Sequence, residues 1–110
     1  MTDFSRYQDA ARRTASYPDI GENVYYPALG LCGEAGEVAE KIKKVMRDDA
    51  GEFSETKREE IAKELGDVLW YCAALASELD LDLGEVAQLN LDKLSSRHAR
   101  GKIGGSGDNR

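Results

Sequence analysis

Proline, cysteine and alternating β-branched residues are all scarce in this 110-residue chain, and each scarcity limits the kinds of fold that the chain can adopt. Both prolines, Pro18 and Pro27, lie near the start, so no later proline interrupts a helix. Between residues 26 and 100 no β-type alternation occurs, and Ala, Leu, Glu and Lys dominate. The two cysteines, Cys32 and Cys72, form no metal-type spacing, and we expect them to be small buried apolar residues. The composition therefore predicts an all-α protein.

Long apolar segments and an excess of basic residues are also absent. The longest hydrophobic runs are too short to span a bilayer, and the N-terminal region lacks the pattern of a secretory signal. We therefore expect a cytoplasmic protein that does not bind a membrane. The formal net charge of −6 argues against binding a nucleic-acid polymer. A divalent cation could still bring a small phosphorylated ligand to an acidic site.

Four helices are predicted from the 3.6-residue periodicity and from capping residues such as Ser54 and Asp82. Two long helices and two shorter ones with short loops favour a four-helix antiparallel bundle. The length is that of a single domain over residues 1–110, and so short a domain buries only a modest core, which favours association with a second copy. The predicted helices span about residues 3–16, 23/27–47, 54–79 and 82–100, and an irregular glycine-rich tail follows over residues 101–110.

Two pairs of carboxylates lie beside apolar helix faces on a wheel of about 100° per residue. Glu34 and Glu37 lie at the edge of this face on the second helix, and Glu64 and Asp67 lie beside it on the third. If these helices pack side by side, the four acids can converge. Carboxylate oxygens are ligands that Mg²⁺ prefers, and without a cation such groups raise one another's pKa values. The pattern predicts a Mg²⁺ site that binds a triphosphate and activates a water molecule as nucleophile.

A solvated helix surface is the competing interpretation of each acidic pair, because glutamate is a strong helix former and most Glu-x-x-Glu spacings face only water. The position of both pairs beside an apolar stripe favours a metal site. So do Gly33, Gly36 and Gly66, since glycine inside a helix costs about 1 kcal/mol relative to alanine. Such glycines suggest the close approach of another helix or of a ligand.

A resemblance to a known family rests on two segments, LGLCGEAGEVAE over residues 29–40 and ELGDVLWY over residues 64–71. Together they resemble the MazG-like nucleoside triphosphate pyrophosphohydrolases. These enzymes share an all-α superfamily with dimeric dUTPases and phosphoribosyl-ATP pyrophosphatases. The similarity runs from about Ala28 to Arg110. The joint pattern of Glu-x-x-Glu, then Glu-x-x-Asp, is fairly specific, whereas either half alone would be weak.

The resemblance implies a metal-dependent hydrolase. Glu34, Glu37, Glu64 and Asp67 would ligate Mg²⁺, with Mn²⁺ able to substitute, and would form the catalytic centre. The reaction would split a nucleoside triphosphate, deoxy by preference, between the α and β phosphates into the monophosphate and pyrophosphate. Its role would be the sanitation of nucleotide pools. The resemblance also implies a homodimer or homotetramer in which helices from two chains complete one site.

Further residues are candidates for contacts with the nucleotide. Tyr71, one turn beyond Asp67, falls where the related deoxycytidine triphosphatases carry a site tyrosine. Asn90, Lys93 and Arg97 follow a family-like spacing on the fourth helix. For Asn90, which falls within an apolar stripe, the alternative is a buried helix–helix hydrogen bond. For the two cations, the alternative is an ordinary surface charge.

Three other positions carry weaker expectations. Lys44, seven residues beyond Glu37 on a similar face, could contact phosphate, although most such lysines only solvate a surface. The tail ends in Gly-Ser-Gly-Asp-Asn-Arg and resembles one branch of the family. We expect it to fold over an active site, either its own or that of a neighbouring chain, with Arg110 near phosphate. Trp70 is expected to pack between helices, and His98 is assigned no catalytic role.

Two other functions compete with nucleoside triphosphate hydrolysis. The same site could act on a phosphoribosyl-nucleotide, or the fold could serve as a non-catalytic oligomerisation or nucleotide-sensing module. The presence of all four acids favours an enzyme, because a decayed site would not require them. The identity of the general base stays open among these acids.

Overall fold

The computed structural model describes all 110 residues and contains four α-helices and no β-strand. The all-α class and the number of helices are therefore confirmed. None of the helices has both the length and the hydrophobicity needed to cross a membrane. The elements are α1 (Phe4–Arg12), α2 (Tyr25–Asp48), α3 (Glu55–Glu78) and α4 (Leu83–Ala99).

Polar side chains begin each helix by satisfying backbone N–H groups that have no partner within the helix. Asp3, Ser54 and Asp82 each accept a hydrogen bond from the backbone N–H three residues later. The side chain of Asn23 accepts one from Tyr26 N at the start of α2. The caps that the sequence predicts at Ser54 and Asp82 are therefore present.

The first helix is shorter than the sequence predicts, since it ends at Arg12 and not near residue 16. The hydroxyl of Thr14 donates a hydrogen bond to the Ala11 carbonyl at 2.6 Å and accepts one from Trp70 Nε1 at 2.8 Å. These bonds take the place of the backbone hydrogen bonds that a further helical turn would make. The chain bends there and carries Tyr17 into a buried position.

Helices α2 and α3 form an antiparallel pair, which is the most extensive packing in the chain. Gly30 lies against the ring of Tyr71 near one end of the pair, and the fully buried Val45 lies near the other. Helix α1 packs on α3, and this contact forms a small core. Its members are Ala11, Ala73, Ala76 and Leu83, with Tyr7 and Trp70 packed against them.

Helix α4 contacts α1 and α3 but not α2, so the four helices do not close around one core within a single chain. Leu89 and Leu91 on α4 stay 69% and 58% exposed. The expectations that Cys32 and Asn90 are buried are wrong for the isolated chain, because no helix of this chain covers their faces. Cys72 is half-buried.

The Glu78 carboxylate joins α3 to α1 and to the loop before α2. Its side chain is fully buried and accepts hydrogen bonds from Arg12 Nη2 and Tyr17 Oη, both at 2.6 Å. It also accepts bonds from the backbone N–H groups of Gly21 (2.8 Å) and Asn23 (2.7 Å). Burial alone would raise the pKa of Glu78, but these four hydrogen bonds lower it to about 2.

We predict an acid-labile fold that depends on Glu78. Because its pKa is about 2 in the folded protein and near 4.5 when unperturbed, its stabilisation is complete above pH 4.5 and is lost as the pH falls toward 2. Glu78→Gln should lower the free energy of unfolding by about 3–5 kcal/mol at pH 7 and weaken this pH dependence. Urea unfolding followed by circular dichroism at several pH values measures both.

Glu40→Gln is the matched control, since Glu40 forms only exposed pairs with Lys43 and Lys44. Such pairs contribute at most about 1 kcal/mol. Equal losses for the two variants would contradict the role assigned to Glu78.

Candidate functional site

Three acidic side chains from α2 and α3 converge on the face between these helices. One carboxylate oxygen of each of Glu34, Glu64 and Asp67 lies within 4.8 Å of the other two. The spacing of Glu64 and Asp67 places both on one face of α3. The antiparallel packing of α2 then brings Glu34 opposite them. We call these three residues the acid cluster.

The acid cluster is electrostatically strained without a cation. Partial burial, a hydrogen bond with Glu64 and the negative charges of Asp67, Glu64 and Glu37 all raise the pKa of Glu34. A divalent cation would remove this repulsion and would find the oxygen ligands that Mg²⁺ and Mn²⁺ accept. The donor set therefore fits such an ion.

The fourth predicted acid, Glu37, is exposed and its carboxylate lies outside the acid cluster. The structure thus brings together three of the four predicted acids and leaves Glu37 close enough for its charge to act on Glu34. The nearest cation was missed by sequence reasoning. Lys41 Nζ lies 3.8 Å from Glu64 Oε1. Its position four residues after Glu37, on the same helix face, was a usable signal.

Lys44, which the sequence offered as a phosphate contact, pairs with Glu40 on the exposed surface at 3.7 Å. Its side chain is about half exposed. The structure shows it as an ordinary surface ion pair within this chain and does not bring it to the acid cluster.

An aromatic wall consists of Tyr17, Tyr26, Trp70 and Tyr71, and it meets the acid cluster through Tyr71. The rings of Tyr17 and Tyr26 stack at 4.8 Å, and Trp70 meets Tyr17 and Tyr71 edge-on at 6.4 and 5.1 Å. Trp70 packs between elements as expected. Burial, Tyr26 and the nearby charges of Glu34 and Asp67 raise the pKa of Tyr71, so its hydroxyl stays protonated at neutral pH. Tyr26 was missed because it precedes the acidic motif by two helical turns.

A family model described as the MazG nucleotide pyrophosphohydrolase domain matches residues 27–101. The chain belongs to the MazG family. It is similar to the gene 37 protein of Mycobacterium phage L5, with 51% identity over 109 residues, and the match covers 94% of this chain and 96% of that protein. No solved structure matches it. The matched residues of this MazG chain include all four predicted acids and the whole of α2, α3 and α4, apart from the first two residues of α2.

Two of the three predicted nucleotide contacts on α4 of this MazG chain, Lys93 and Arg97, lie against its own tail and not at the acid cluster. Lys93 Nζ and Arg97 Nη2 lie 3.1 and 3.5 Å from Asp108 Oδ1. Arg97 also donates hydrogen bonds to the carbonyls of Gly107 and Asp108. Asn90 is exposed, and its side chain makes no hydrogen bond within the chain. Tyr71 is therefore the one additional candidate that the structure brings to the acids.

The tail folds as a series of turns on α4, and Arg110 holds it closed. The Arg110 guanidinium donates hydrogen bonds to the carbonyls of residues 102, 103, 104 and 107. Gly105 and Gly107 have φ of +94° and +86°, a conformation that favours glycine. Arg110 is thus occupied by its own backbone in this chain. The predicted contact of Arg110 with phosphate, in its own active site or in that of a neighbouring chain, stays a prediction.

Of the helical glycines near the acids, only Gly30 is required by close packing. A Cβ atom there would overlap the Tyr71 ring, whereas one at Gly33, Gly36 or Gly66 would meet nothing within 4 Å. No helix of this chain approaches these last three glycines closely, and the approach of a ligand or of a second chain stays a prediction.

We predict that Gly30→Ala forces Tyr71 and α2 apart and lowers the free energy of unfolding by about 1–3 kcal/mol. Gly33→Ala is the control and should be neutral or stabilising by up to about 1 kcal/mol, because alanine favours the helix and no atom obstructs it. Urea denaturation measures the free energy of unfolding of both variants. A Gly30→Ala protein as stable as Gly33→Ala would show that the Tyr71 contact does not constrain the helix pair.

Proposed function

We propose that this chain is a cytoplasmic Mg²⁺-dependent nucleoside triphosphate pyrophosphohydrolase. It converts a nucleoside or deoxynucleoside triphosphate to the monophosphate and pyrophosphate and sanitises the nucleotide pool. The observation that carries the proposal is the acid cluster, three carboxylates within 4.8 Å on two facing helices. Membership of a nucleotide pyrophosphohydrolase family supports the reaction type.

Each side of the site has a role in this proposal. Glu34, Glu64 and Asp67 hold the cation, and Glu37 adds negative charge or a further ligand from the edge. Mg²⁺ held by these acids would supply positive charge to the triphosphate and a water molecule of lowered pKa as the nucleophile. Lys41, beside Glu64, offsets part of the acidic charge.

The aromatic wall supplies the base and sugar side of the site. Tyr71 presents a protonated hydroxyl next to the acids, and Tyr26 offers a half-exposed ring two turns before Glu34. An aromatic face stacks on any nucleobase, so these rings can hold the substrate without strong base selection.

We predict that Asp67→Asn and Glu64→Gln reduce Mg²⁺-dependent pyrophosphate release by at least about 100-fold, because each removes a charged ligand from the acid cluster. Helicity measured by circular dichroism should not change, since both side chains lie at the surface between the helices. A colorimetric assay of pyrophosphate release from a panel of nucleotides measures the effect.

Glu60→Gln, one turn before Glu64 and paired only with Lys57, is the control and should keep full activity. If Asp67→Asn and Glu64→Gln both retain wild-type rates, or if no nucleotide releases pyrophosphate with Mg²⁺, the proposed function is wrong.

We also propose that the active form is a homodimer or homotetramer. A folded monomer of 12.1 kDa typically exposes about 6,000 Å², whereas this chain exposes 7884 Å². Its radius of gyration is 16.7 Å, against about 13 Å for a compact domain of this length. The excess area is within the range that obligate dimers bury per protomer. Exposed apolar residues on α4 and on the outer faces of α2 and α3 supply the surface for a second copy.

We predict that Leu89→Glu shifts the protein toward the monomer, because it places a charge on the most exposed apolar side chain of α4. Sedimentation velocity at micromolar concentration measures the shift. Gln88→Glu, the neighbouring polar position, should leave the mass unchanged. A wild-type chain that sediments as a monomer at all concentrations would contradict the proposed assembly.

A further inference from the structure

The Tyr26 ring is packed against Tyr17 and is also partly open to solvent. The two ring planes lie 11° apart with their centroids at 4.8 Å. Tyr17 is only 7% exposed, whereas Tyr26 is 44% exposed. Tyr26, Gly30 and Glu34 follow one another at four-residue spacing on α2, so Tyr26 lies along the helix stripe that leads to the acid cluster. The Tyr26 ring can therefore meet a flat ligand that reaches the acids.

The buried Glu78 carboxylate fixes both rings of this stacked pair by separate routes. Its Oε2 accepts a hydrogen bond from the Tyr17 hydroxyl at 2.6 Å, and Arg12 Nη1 donates to the same hydroxyl at 2.5 Å. Its Oε1 accepts one from the backbone N–H of Asn23 at 2.7 Å. The Asn23 side chain in turn accepts a bond from Tyr26 N at 3.0 Å. One carboxylate therefore holds the end of the Tyr17 ring and the helix turn that carries Tyr26.

This network restricts the orientation of the rings more than packing alone requires. A buried ion pair is often no more stable than apolar side chains of the same volume. The Tyr17 side chain, however, is fixed at its backbone and at its hydroxyl, so its ring has one orientation. A binding surface that is ordered before the ligand arrives loses less conformational entropy on binding. The geometry thus favours a role for the network in holding a preformed binding surface.

We propose that Tyr17, anchored by Glu78, is a positioning residue that holds the Tyr26 ring ready to stack on the base of the substrate nucleotide. Tyr17 acts through Tyr26 and contacts neither the phosphates nor the metal. The inference rests on the proposed function, because it needs a nucleotide whose phosphates reach the acid cluster. It deepens that function by assigning part of the binding of the base to the N-terminal segment that precedes α2.

The first test compares Tyr17→Leu with the wild type in the assay of pyrophosphate release, using the nucleotides that the wild type cleaves. Loss of the supporting ring should raise KM by about fivefold to tenfold, which is part of the contribution that one base stack makes. The value of kcat should stay the same, because Tyr17 does not contact the reacting phosphates. Tyr25→Leu is the matched control and should match the wild type, since Tyr25 is 76% exposed.

Two binding measurements separate positioning from a general loosening of the fold. Affinity for deoxyadenosine monophosphate in EDTA, followed by Trp70 fluorescence, should fall in Tyr17→Leu by the same factor as KM rises. Affinity for inorganic tripolyphosphate with Mg²⁺, measured by calorimetry, should not change, because this ligand has no base. Tyr17→Phe keeps the stacked ring but loses its hydroxyl anchor, so its affinity for the monophosphate should fall by only about twofold to threefold.

Unchanged monophosphate affinity in both Tyr17 variants would overturn the proposal, as would a wild type that does not bind the monophosphate. An equal loss of tripolyphosphate affinity would also overturn it, because the effect would then be a general one on the fold. If Tyr17→Leu does not fold, Tyr17→Phe alone decides. A wild type that binds the monophosphate but releases no pyrophosphate would contradict the proposed function and leave the role of Tyr17 to be decided by the binding data.

Discussion

Glycine at position 30 lets the ring of Tyr71 lie directly against the backbone of α2, and this contact fixes how α2 and α3 pair. Because the two helices are antiparallel, Glu34, one turn after Gly30, then lies opposite Asp67, one turn before Tyr71. The same contact places a tyrosine hydroxyl beside the acids. A side chain at position 30 would move the ring, the helix and the geometry of the acid cluster together.

Two buried or half-buried glutamates illustrate opposite uses of a carboxylate in this protein. Glu78 is surrounded by donors, and its pKa is lowered to about 2 although burial would raise it. Glu34 is surrounded by other acids, and its pKa is raised. The first is satisfied by the chain itself and holds α1 and Tyr17 in place. The second has other acids and no cation of the chain in contact with it, which is the property expected of a group that meets a cation.

These two environments are connected through the aromatic wall. Glu78 fixes the hydroxyl of Tyr17, the Tyr17 ring stacks on Tyr26, and Tyr26 contacts Tyr71 next to the acid cluster. The N-terminal segment therefore does more than cover the core, since it supports the rings that border the site.

Most of the helices and the location of the acids were predictable from the sequence, because both depend on local rules. Ser54 and Asp82 are caps whose effect is confined to one turn, and the spacing of Glu64 and Asp67 fixes their common face. The role of Glu78 was not predictable, since its four donors come from segments more than 50 residues away. The exposure of Cys32 and Asn90 was missed for a related reason. A periodic apolar stripe indicates that a face is covered but does not say whether the same chain covers it.

The most direct test of the central claim is to locate a bound divalent cation. Substoichiometric Mn²⁺ added to ¹⁵N-labelled protein broadens the amide signals of residues close to the metal. The account predicts that the signals of Glu34, Glu64 and Asp67 disappear first, that excess Mg²⁺ restores them, and that Asp67→Asn reduces the effect. Broadening centred on another part of the chain, or none at these three residues, would contradict it.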